Sequence, residues 1–226
     1  MGRMIDLKSA DGFQLSAYRA VPAGAPVAGL VVIQEIFGVN SHIRSVCDGY
    51  ADDGFLVVAP ALFDRLEAGV DLGYSPQDVE RGRALKPRAD TDAALADVDA
   101  ACKAVAEAGP VCVIGYCWGG LLAWLSATRL CGLTAVVGYY GGGIGAVAGE
   151  RPHCPVQLHF GENDHAVPMS DVEAVRQAHA AGVDIHVYAG AGHGFNCDQR
   201  ASFDANAARL ARKRTLGFLQ AALQAG

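Results

Sequence analysis

Short apolar runs alternate along this chain with segments in which apolar residues recur every three or four positions. A continuous short apolar run is typical of a strand buried on both faces of a parallel sheet, whereas the wider spacing indicates a helix with one buried side. After an N-terminal hairpin, Met4–Leu7 and Gln14–Ala20, the predicted strands are Gly29–Gln34, Phe55–Ala59, Val111–Tyr116, Leu133–Tyr139, Gln157–Gly161 and Asp184–Tyr188. The predicted helices are a segment over 43–51, Gln77–Lys86, Thr91–Glu107, Leu121–Arg129, Ser170–Ala181 and Ala201–Ala222.

This alternation predicts an α/β fold with a mostly parallel central sheet and helices on both faces. We find no internal repeat, low-complexity segment or linker, so we expect a single domain over residues 1–226 without a large cap domain. The least regular stretch, Ala61–Pro76, is predicted to line a pocket or to form a lid, because long loops in compact domains are often functional. In such sheets ligands bind beyond the carboxyl ends of the strands, so candidate chemistry is expected there.

Composition narrows the classes of partner. Lys and Arg number 18 against 24 Asp and Glu, giving a net charge of −6 with no basic cluster, which disfavours nucleic-acid binding. No apolar run approaches the ~18 residues of a membrane span, and the N-terminal residues lack the apolar core of a signal peptide. We therefore expect a cytoplasmic protein with reduced thiols and neither a membrane nor a nucleic-acid partner. The cysteines and histidines lack metal-ligand spacing, so no metal is expected.

One cysteine follows a predicted strand in the sequence Gly115-Tyr116-Cys117-Trp118-Gly119 and directly precedes a predicted helix. This is the nucleophile-elbow pattern with Cys in place of Ser, in which glycines permit a turn too tight for a neighbouring Cβ. The start of the helix favours a thiolate at Cys117 through its dipole, and the Trp118 backbone N–H is placed to donate to an oxyanion. Apart from Cys117 and Cys197, the five remaining cysteines are predicted to be buried core residues.

A nucleophile of this kind needs a base, and the base needs a residue that orients it. Asp164 follows the predicted strand Gln157–Gly161, and His193 follows Asp184–Tyr188 between two glycines. Both therefore lie at carboxyl ends of strands, in the order nucleophile, acid, histidine. We predict that Cys117, His193 and Asp164 form a catalytic triad.

The loop after the first buried strand carries two further candidates, Glu35 and Ile36. In this architecture that loop supplies the second oxyanion donor, which we assign to the Ile36 N–H. A carboxylate beside a developing oxyanion opposes catalysis electrostatically, so Glu35 either holds or deprotonates the Cys117 thiol, or turns outward to solvent.

These segments together resemble the dienelactone hydrolase family over essentially the whole chain. The motifs that carry the resemblance are Gln34-Glu35-Ile36-Phe37-Gly38-Val39-Asn40, Gly115-Tyr116-Cys117-Trp118-Gly119-Gly120, Gly138-Tyr139-Tyr140-Gly141, Asp164 with Val167-Pro168, and Gly192-His193-Gly194-Phe195. The resemblance implies an α/β-hydrolase fold, a Cys-His-Asp triad, no cofactor, and a protein that is often monomeric. It also implies that Glu35 contacts the resting thiol, and that the substrate is a dienelactone, an enol lactone opened to maleylacetate.

The residues expected to bind the substrate carboxylate depart from the family pattern. One family arginine follows a Pro-Gln-Asp segment; here that segment is followed by Arg81 and Arg83, of which we favour Arg83. A second family arginine lies four residues after the catalytic histidine, where this chain has Cys197, and Arg200 is the nearby alternative. A tyrosine that the family places shortly after the first arginine also has no counterpart in the Lys86-Pro87 region.

The sequence thus predicts a hydrolase of carboxylic ester or lactone bonds that acts on a small molecule through a thioester acyl-enzyme. Three alternatives remain open at this point. The first is a carboxylesterase that acts on an unrelated small substrate, and the second is a ligand-binding homologue without catalytic activity. The third is a thiol-redox protein in which Cys197 forms a disulfide with an oxidised Cys117.

Overall fold

The computed structural model describes residues 2–179 and 181–225. The chain divides into two compact units, Met1–Val113 and Ile114–Gly226, and passes from one to the other within strand β5, Val111–Tyr116.

The first unit is built on an edge hairpin followed by buried parallel strands. Antiparallel pairing joins β1 to β2 and β2 to β4, whereas β3 and β4 pair in parallel, in the order β1-β2-β4-β3. Every residue of β3 and β4 is buried, which is why both read as unbroken apolar runs. The elements are β1 (Arg3–Lys8), β2 (Gln14–Ala20), β3 (Ala28–Ile33), α1 (Ser41–Asp52), β4 (Phe55–Pro60), α2 (Pro76–Leu85) and α3 (Thr91–Val105), with 3-10 turns at Leu62–Arg65, Lys86–Arg88 and Ala106–Ala108.

A buried ion pair fixes the 3-10 turn after β4 to helix α3. Arg65 donates to both carboxylate oxygens of Asp97 at 2.8 Å, and the Asp97 side chain is completely buried. The same guanidinium reaches Asp11 at 2.7 and 3.1 Å and lies 4.5 Å from the centre of the Phe13 ring. Hydrogen bonds to the two carboxylates raise the pKa of Arg65, so this cation stays charged.

We expect Asp97→Ala to lower the free energy of unfolding by about 2–3 kcal/mol, because it leaves a mostly buried cation with Asp11 alone. The matched control is Glu107→Ala, which removes the partner of Arg19 at an exposed ion pair and is expected to cost less than about 1 kcal/mol. Urea unfolding of both variants measures the difference. Equal losses from the two substitutions contradict the structural importance of the buried pair.

The second unit completes β5 and adds three strands in the order β5-β6-β7-β8, with β6, β7 and β8 parallel. A buried polar cluster joins these strands to the last helix: His159 contacts the Tyr188 hydroxyl at 2.8 Å and the Thr215 hydroxyl at 3.1 Å, and Thr215 also meets the Tyr139 hydroxyl at 2.7 Å. Burial holds the pKa of His159 well below its usual range, so the ring is neutral. The elements are α4 (Trp118–Arg129), β6 (Ala135–Tyr139), β7 (Val156–Gly161), α5 (Met169–Ala178), β8 (Val183–Tyr188) and α6 (Ala205–Ala225), with a 3-10 turn at Ile144–Val147.

The predicted α/β class with a mostly parallel sheet is confirmed, and the differences lie at element ends. Helix α4 begins at Trp118 rather than at Leu121, because the tight turn sets its start despite two glycines of low helix propensity. Helix α6 begins four residues later than predicted, since the Asp204 carboxylate accepts the Asn206 and Ala207 N–H groups and caps it there.

Further sequence-based expectations concern the end of α5, the burial of the cysteines, membrane-spanning helices and the number of domains. The predicted helix Ser170–Ala181 ends at Ala178, and Ala180 lies outside the described residues. Two of the five predicted core cysteines are not buried: Cys131 is exposed and Cys154 half-buried. In the part of the chain that the structure describes, no helix is long and apolar enough to cross a membrane, and no cap domain is present. The single domain over 1–226 stays a prediction.

Candidate active site

The second unit contains a strained turn at Cys117, between β5 and α4. Cys117 has φ 56° and ψ −115°, in the positive-φ region that residues with a Cβ rarely adopt, and its N–H donates to the Tyr139 carbonyl at 3.0 Å. A Cβ at Gly115 would overlap the Gly119 carbonyl, and one at Gly120 would overlap the Tyr139 carbonyl. The glycines around Cys117 are therefore required by the close approach of two backbone segments, as expected for an elbow.

The structure brings His193 to the sulfur of Cys117. The imidazole Nε2 lies 3.1 Å from Sγ, and Nδ1 lies 2.8 Å from Oδ2 of Asp164. Cys117 is half-buried and 19 % of the His193 side chain is exposed, so the sulfur and the imidazole border solvent while the Asp164 side chain is fully buried. The three side chains thus form a continuous chain from thiol to carboxylate.

The backbone after β7 fixes the Asp164 carboxylate. Its second oxygen, Oδ1, accepts the N–H of Ala166 at 2.8 Å and that of Val167 at 3.1 Å, which leaves Oδ2 directed at the imidazole. A carboxylate held by two backbone donors keeps its orientation when the histidine changes protonation, so Asp164 can select one tautomer of His193.

The electrostatics of His193 favour its charged form. Burial opposes a charged imidazole, but the hydrogen bonds to Asp164 and to the Cys117 sulfur together outweigh it and raise the pKa of His193 to about 10. An imidazolium next to a sulfur stabilises a thiolate electrostatically. The arrangement therefore places a charged imidazole beside the Cys117 sulfur.

One candidate oxyanion donor lies at the start of a helix and the other in a turn. Trp118 is the first residue of α4, directly after Cys117, and it is buried. Ile36, also buried, belongs to the first unit, where Gly82 of α2 packs so closely on its carbonyl that a Cβ there would overlap the oxygen.

Glu35 is buried and does not turn outward to solvent, which removes one of the two sequence-based interpretations. The Tyr74 hydroxyl donates to Glu35 Oε2 at 3.3 Å, and the Asn40 amide donates to the same hydroxyl at 3.1 Å. Tyr74 was not predicted from the sequence as a site residue. The one sequence feature that could have indicated it is its position in the irregular stretch just before Pro76. In the structure its ring packs edge to face on the ring of Phe37, with centroids 4.7 Å apart.

The two candidate arginines of α2 differ in their surroundings. Arg81 forms an ion pair with Glu67, and Arg83 is exposed in the last turn of the helix. In the second unit, Cys197 is buried and Arg200 is half-buried. The Arg200 guanidinium lies against the loop that carries His193, because a Cβ at Gly194 would lie 2.7 Å from Arg200 Cζ.

The family model of the dienelactone hydrolase family matches residues 15–223. The chain belongs to the dienelactone hydrolase family. Members are lactone and ester hydrolases, and the predicted resemblance and enzyme class are confirmed. The dienelactone hydrolase relatives include a putative carboxymethylenebutenolidase of Synechocystis, 36 % identical over 93 % of each chain, and a carboxymethylenebutenolidase of Pseudomonas putida, 34 % identical over 95 % of this chain and 94 % of its own.

Solved structures of the dienelactone hydrolase family agree with the fold. A putative dienelactone hydrolase from Klebsiella pneumoniae is 31 % identical and matches with a TM-score of 0.83 over 95 % of this chain and 98 % of its own. A dienelactone hydrolase-like promiscuous phosphotriesterase from metagenomic libraries, at 22 % identity and a TM-score of 0.76 over 97 % and 98 % of the two chains, shares the fold. The predicted α/β-hydrolase fold is therefore confirmed.

Proposed function

We propose that this hydrolase cleaves a small ester or lactone through a thioester on Cys117. The observation that carries the proposal is the chain of contacts from Sγ to His193 Nε2 at 3.1 Å and from Nδ1 to Asp164 at 2.8 Å. The same arrangement of nucleophile, base and orienting carboxylate supports acyl transfer on unrelated folds.

Acylation begins from the thiolate–imidazolium pair. The Cys117 sulfur attacks the substrate carbonyl carbon, a C–S bond forms, and the carbonyl electron pair moves to oxygen, where the N–H groups of Trp118 and Ile36 stabilise the negative charge. When the tetrahedral intermediate collapses, the C–O bond breaks and the leaving oxygen takes the proton from His193 Nε2. An enolate is a good leaving group, which suits a thiolate nucleophile.

Deacylation uses the imidazole that acylation has made neutral. His193 Nε2 takes a proton from water, the water oxygen attacks the thioester carbon, and the C–S bond breaks to return the thiolate. The product acid releases its proton to solvent, and the ion pair is restored. Asp164 keeps the Nδ1 proton directed at its own oxygen throughout, so Nε2 is always the nitrogen that exchanges protons.

We assign Glu35 to holding the Cys117 thiol before substrate binds, or to helping deprotonate it as the thiolate–imidazolium pair that starts acylation forms. Its burial and the hydroxyl bond from Tyr74 support a carboxyl kept in one orientation. The proposal further places the enzyme in the cytoplasm as a monomer without a cofactor.

For the substrate we propose an enol lactone bearing a carboxylate, as the names of the carboxymethylenebutenolidase relatives suggest. Arg83 is our candidate for binding that carboxylate, because it is exposed while Arg81 is engaged by Glu67. Cys197 stands where the family pattern has its second arginine, so anion recognition relies on fewer arginines than in that pattern.

A matched substrate pair tests this proposal. In the wild type, we expect kcat/KM for a carboxylate-bearing enol lactone to exceed kcat/KM for its neutral methyl ester. We expect Arg83→Ala to lower kcat/KM for the carboxylate-bearing lactone by about 10-fold, as the loss of one charge-assisted contact predicts, and to leave kcat/KM for the methyl ester unchanged. Arg88→Ala, which removes an exposed arginine from the turn after α2, is the matched control. Arg81→Ala tests the other candidate.

Each other outcome has a definite meaning. Equal turnover of both substrates favours a carboxylesterase of an unrelated natural substrate, and an equal loss on both substrates in Arg83→Ala removes Arg83 from anion recognition. Tight binding of both compounds without turnover favours a ligand-binding homologue.

A further inference from the structure

Tyr140, directly after β6, has a strained backbone. Its φ is +39°, and among the residues that the structure describes only Cys117 shares a positive φ without being glycine. Such conformations persist where the surroundings over-determine them, and they cluster at functional sites. Because the other such residue, Cys117, is the proposed nucleophile, the strained backbone of Tyr140 points to a role at the same site.

The backbone around Tyr140 is held from both sides. Its N–H donates to the His159 carbonyl of β7 at 2.7 Å, and the preceding carbonyl, that of Tyr139, accepts the N–H of Cys117 at 3.0 Å. The dipeptide therefore connects the elbow to the neighbouring strand. These two hydrogen bonds hold the strained dipeptide in place.

The strained backbone directs the Tyr140 ring at the imidazole of His193. The two ring centroids lie 5.1 Å apart with planes at 63°, an edge-to-face contact. Phe195 packs on the same tyrosine ring at 5.4 Å and 76°, and the tyrosine is completely buried. His193 itself sits between Gly192 and Gly194, so its own loop restricts the imidazole little, and the position of the ring depends on its contacts with neighbouring side chains.

We propose that Tyr140 is a positioning residue that holds the His193 imidazole in line between Asp164 and Cys117 through this ring contact. The inference rests on the proposed function, because it concerns the base of that triad. One dipeptide then positions two partners: the Tyr139 carbonyl holds the nucleophile and the Tyr140 ring holds the base. Because the ring is completely buried, its loss is expected to affect kcat rather than KM.

The groups that face His193 set the form of the test. They are Asp164 after β7, Cys117 before α4, the Tyr140 ring after β6, and Arg200, whose guanidinium lies against Gly194. In the wild type, hydrolysis is expected to fall as His193 loses its proton near its pKa of about 10, because the leaving oxygen then has no acid. An imidazole that is free to turn loses the hydrogen bonds that raise this pKa, so the alkaline limb moves to lower pH.

The experiment compares Tyr140→Leu and Tyr140→Phe with wild type, by pH profiles of kcat and kcat/KM on an activated ester. Leucine keeps the apolar bulk of the side chain without an aromatic edge. For Tyr140→Leu we expect kcat to fall 10- to 100-fold, about the effect of a misplaced catalytic group, while KM changes little. We also expect the pH at which activity falls on the alkaline side to drop by about one unit. Phenylalanine keeps the ring and should restore both within about 3-fold. Tyr50→Leu, at a buried tyrosine packed edge to face on Phe55 in the first unit, controls for a general loss of core packing.

Wild-type kinetics and pH profile in folded Tyr140→Leu overturn the inference, and so does a Tyr140→Phe variant as impaired as Tyr140→Leu. If Tyr140→Leu does not fold, the Tyr140→Phe and Tyr140→Trp variants test the inference instead. Both keep an aromatic edge against His193, so both must lose activity at the same alkaline pH as the wild type. Cys117→Ala in the same assay separates the two proposals: its continued turnover refutes the hydrolase mechanism, whereas its inactivity beside a wild-type-like Tyr140→Leu refutes the positioning role alone.

Discussion

Cys117→Ala is expected to lower kcat/KM on a small activated ester by at least ~10³-fold, because the sulfur is the only atom of the triad that bonds to the substrate carbon. The methyl group of alanine fits the elbow, so the fold and the melting temperature should not change. Cys117→Ser is expected to be strongly impaired as well, since a hydroxyl next to the imidazolium form of His193 is far from ionised.

The control for Cys117→Ala is Cys131→Ala, which removes an exposed thiol and should leave turnover at the wild-type level. Mass spectrometry of enzyme quenched in acid during turnover should show one acyl group, on Cys117 and on no other cysteine. Continued hydrolysis by Cys117→Ala refutes the proposed nucleophile. Rapid formation of a Cys117–Cys197 disulfide under mild peroxide, in an enzyme without esterase activity, supports the thiol-redox alternative instead.

Gly115→Ala is expected to reduce kcat/KM by at least ~10²-fold and to lower the free energy of unfolding by about 1–3 kcal/mol or more. The added Cβ would overlap the Gly119 carbonyl and lie 3.0 Å from the Ala123 Cβ, so the turn must open and move the sulfur away from His193. A displacement of about 1 Å at a reacting atom accounts for a loss of this size.

The matched control for Gly115→Ala is Gly217→Ala in helix α6, where an added Cβ meets nothing within 4 Å. That substitution should preserve activity and stabilise the helix by about 0.5–1 kcal/mol. Circular dichroism melting, ester kinetics and the rate of Cys117 alkylation distinguish displacement of the sulfur from unfolding. A Gly115→Ala enzyme with wild-type kinetics shows that the elbow does not need its glycine.

The parts of this enzyme that sequence predicts well are those in which local pattern and position in the chain carry the information. The β5 and β7 strands that precede Cys117 and Asp164 are buried throughout, so hydrophobicity alone locates them. His193 follows β8, which is mostly only partly buried, and was located by its order in the chain and its flanking glycines. Parallel strands end at one edge, which is why three residues far apart in sequence meet in space.

The features that the sequence does not reveal depend on conformations set by tertiary contacts. The positive φ of Tyr140 requires the His159 carbonyl on a neighbouring strand, and no propensity indicates it. Tyr74 reaches Glu35 from a stretch without periodicity, where pattern analysis has nothing to measure. Cys131 follows α4 in an exposed turn, so the general tendency of free cysteines to be buried gives the wrong result there.

The placement of the proposed residues along the chain has an evolutionary consequence. Nucleophile, acid and base all lie in residues 114–226, whereas Arg81 and Arg83, the candidates for reading the substrate anion, lie in residues 1–113. A genetic crossover within the β5 codons would therefore exchange anion recognition between relatives and leave the proton relay as one inherited block. Selection for a new substrate can then act on Arg81 and Arg83 while Cys117, His193 and Asp164 are inherited together. Glu35 and Ile36, which lie in residues 1–113, would be exchanged along with the arginines.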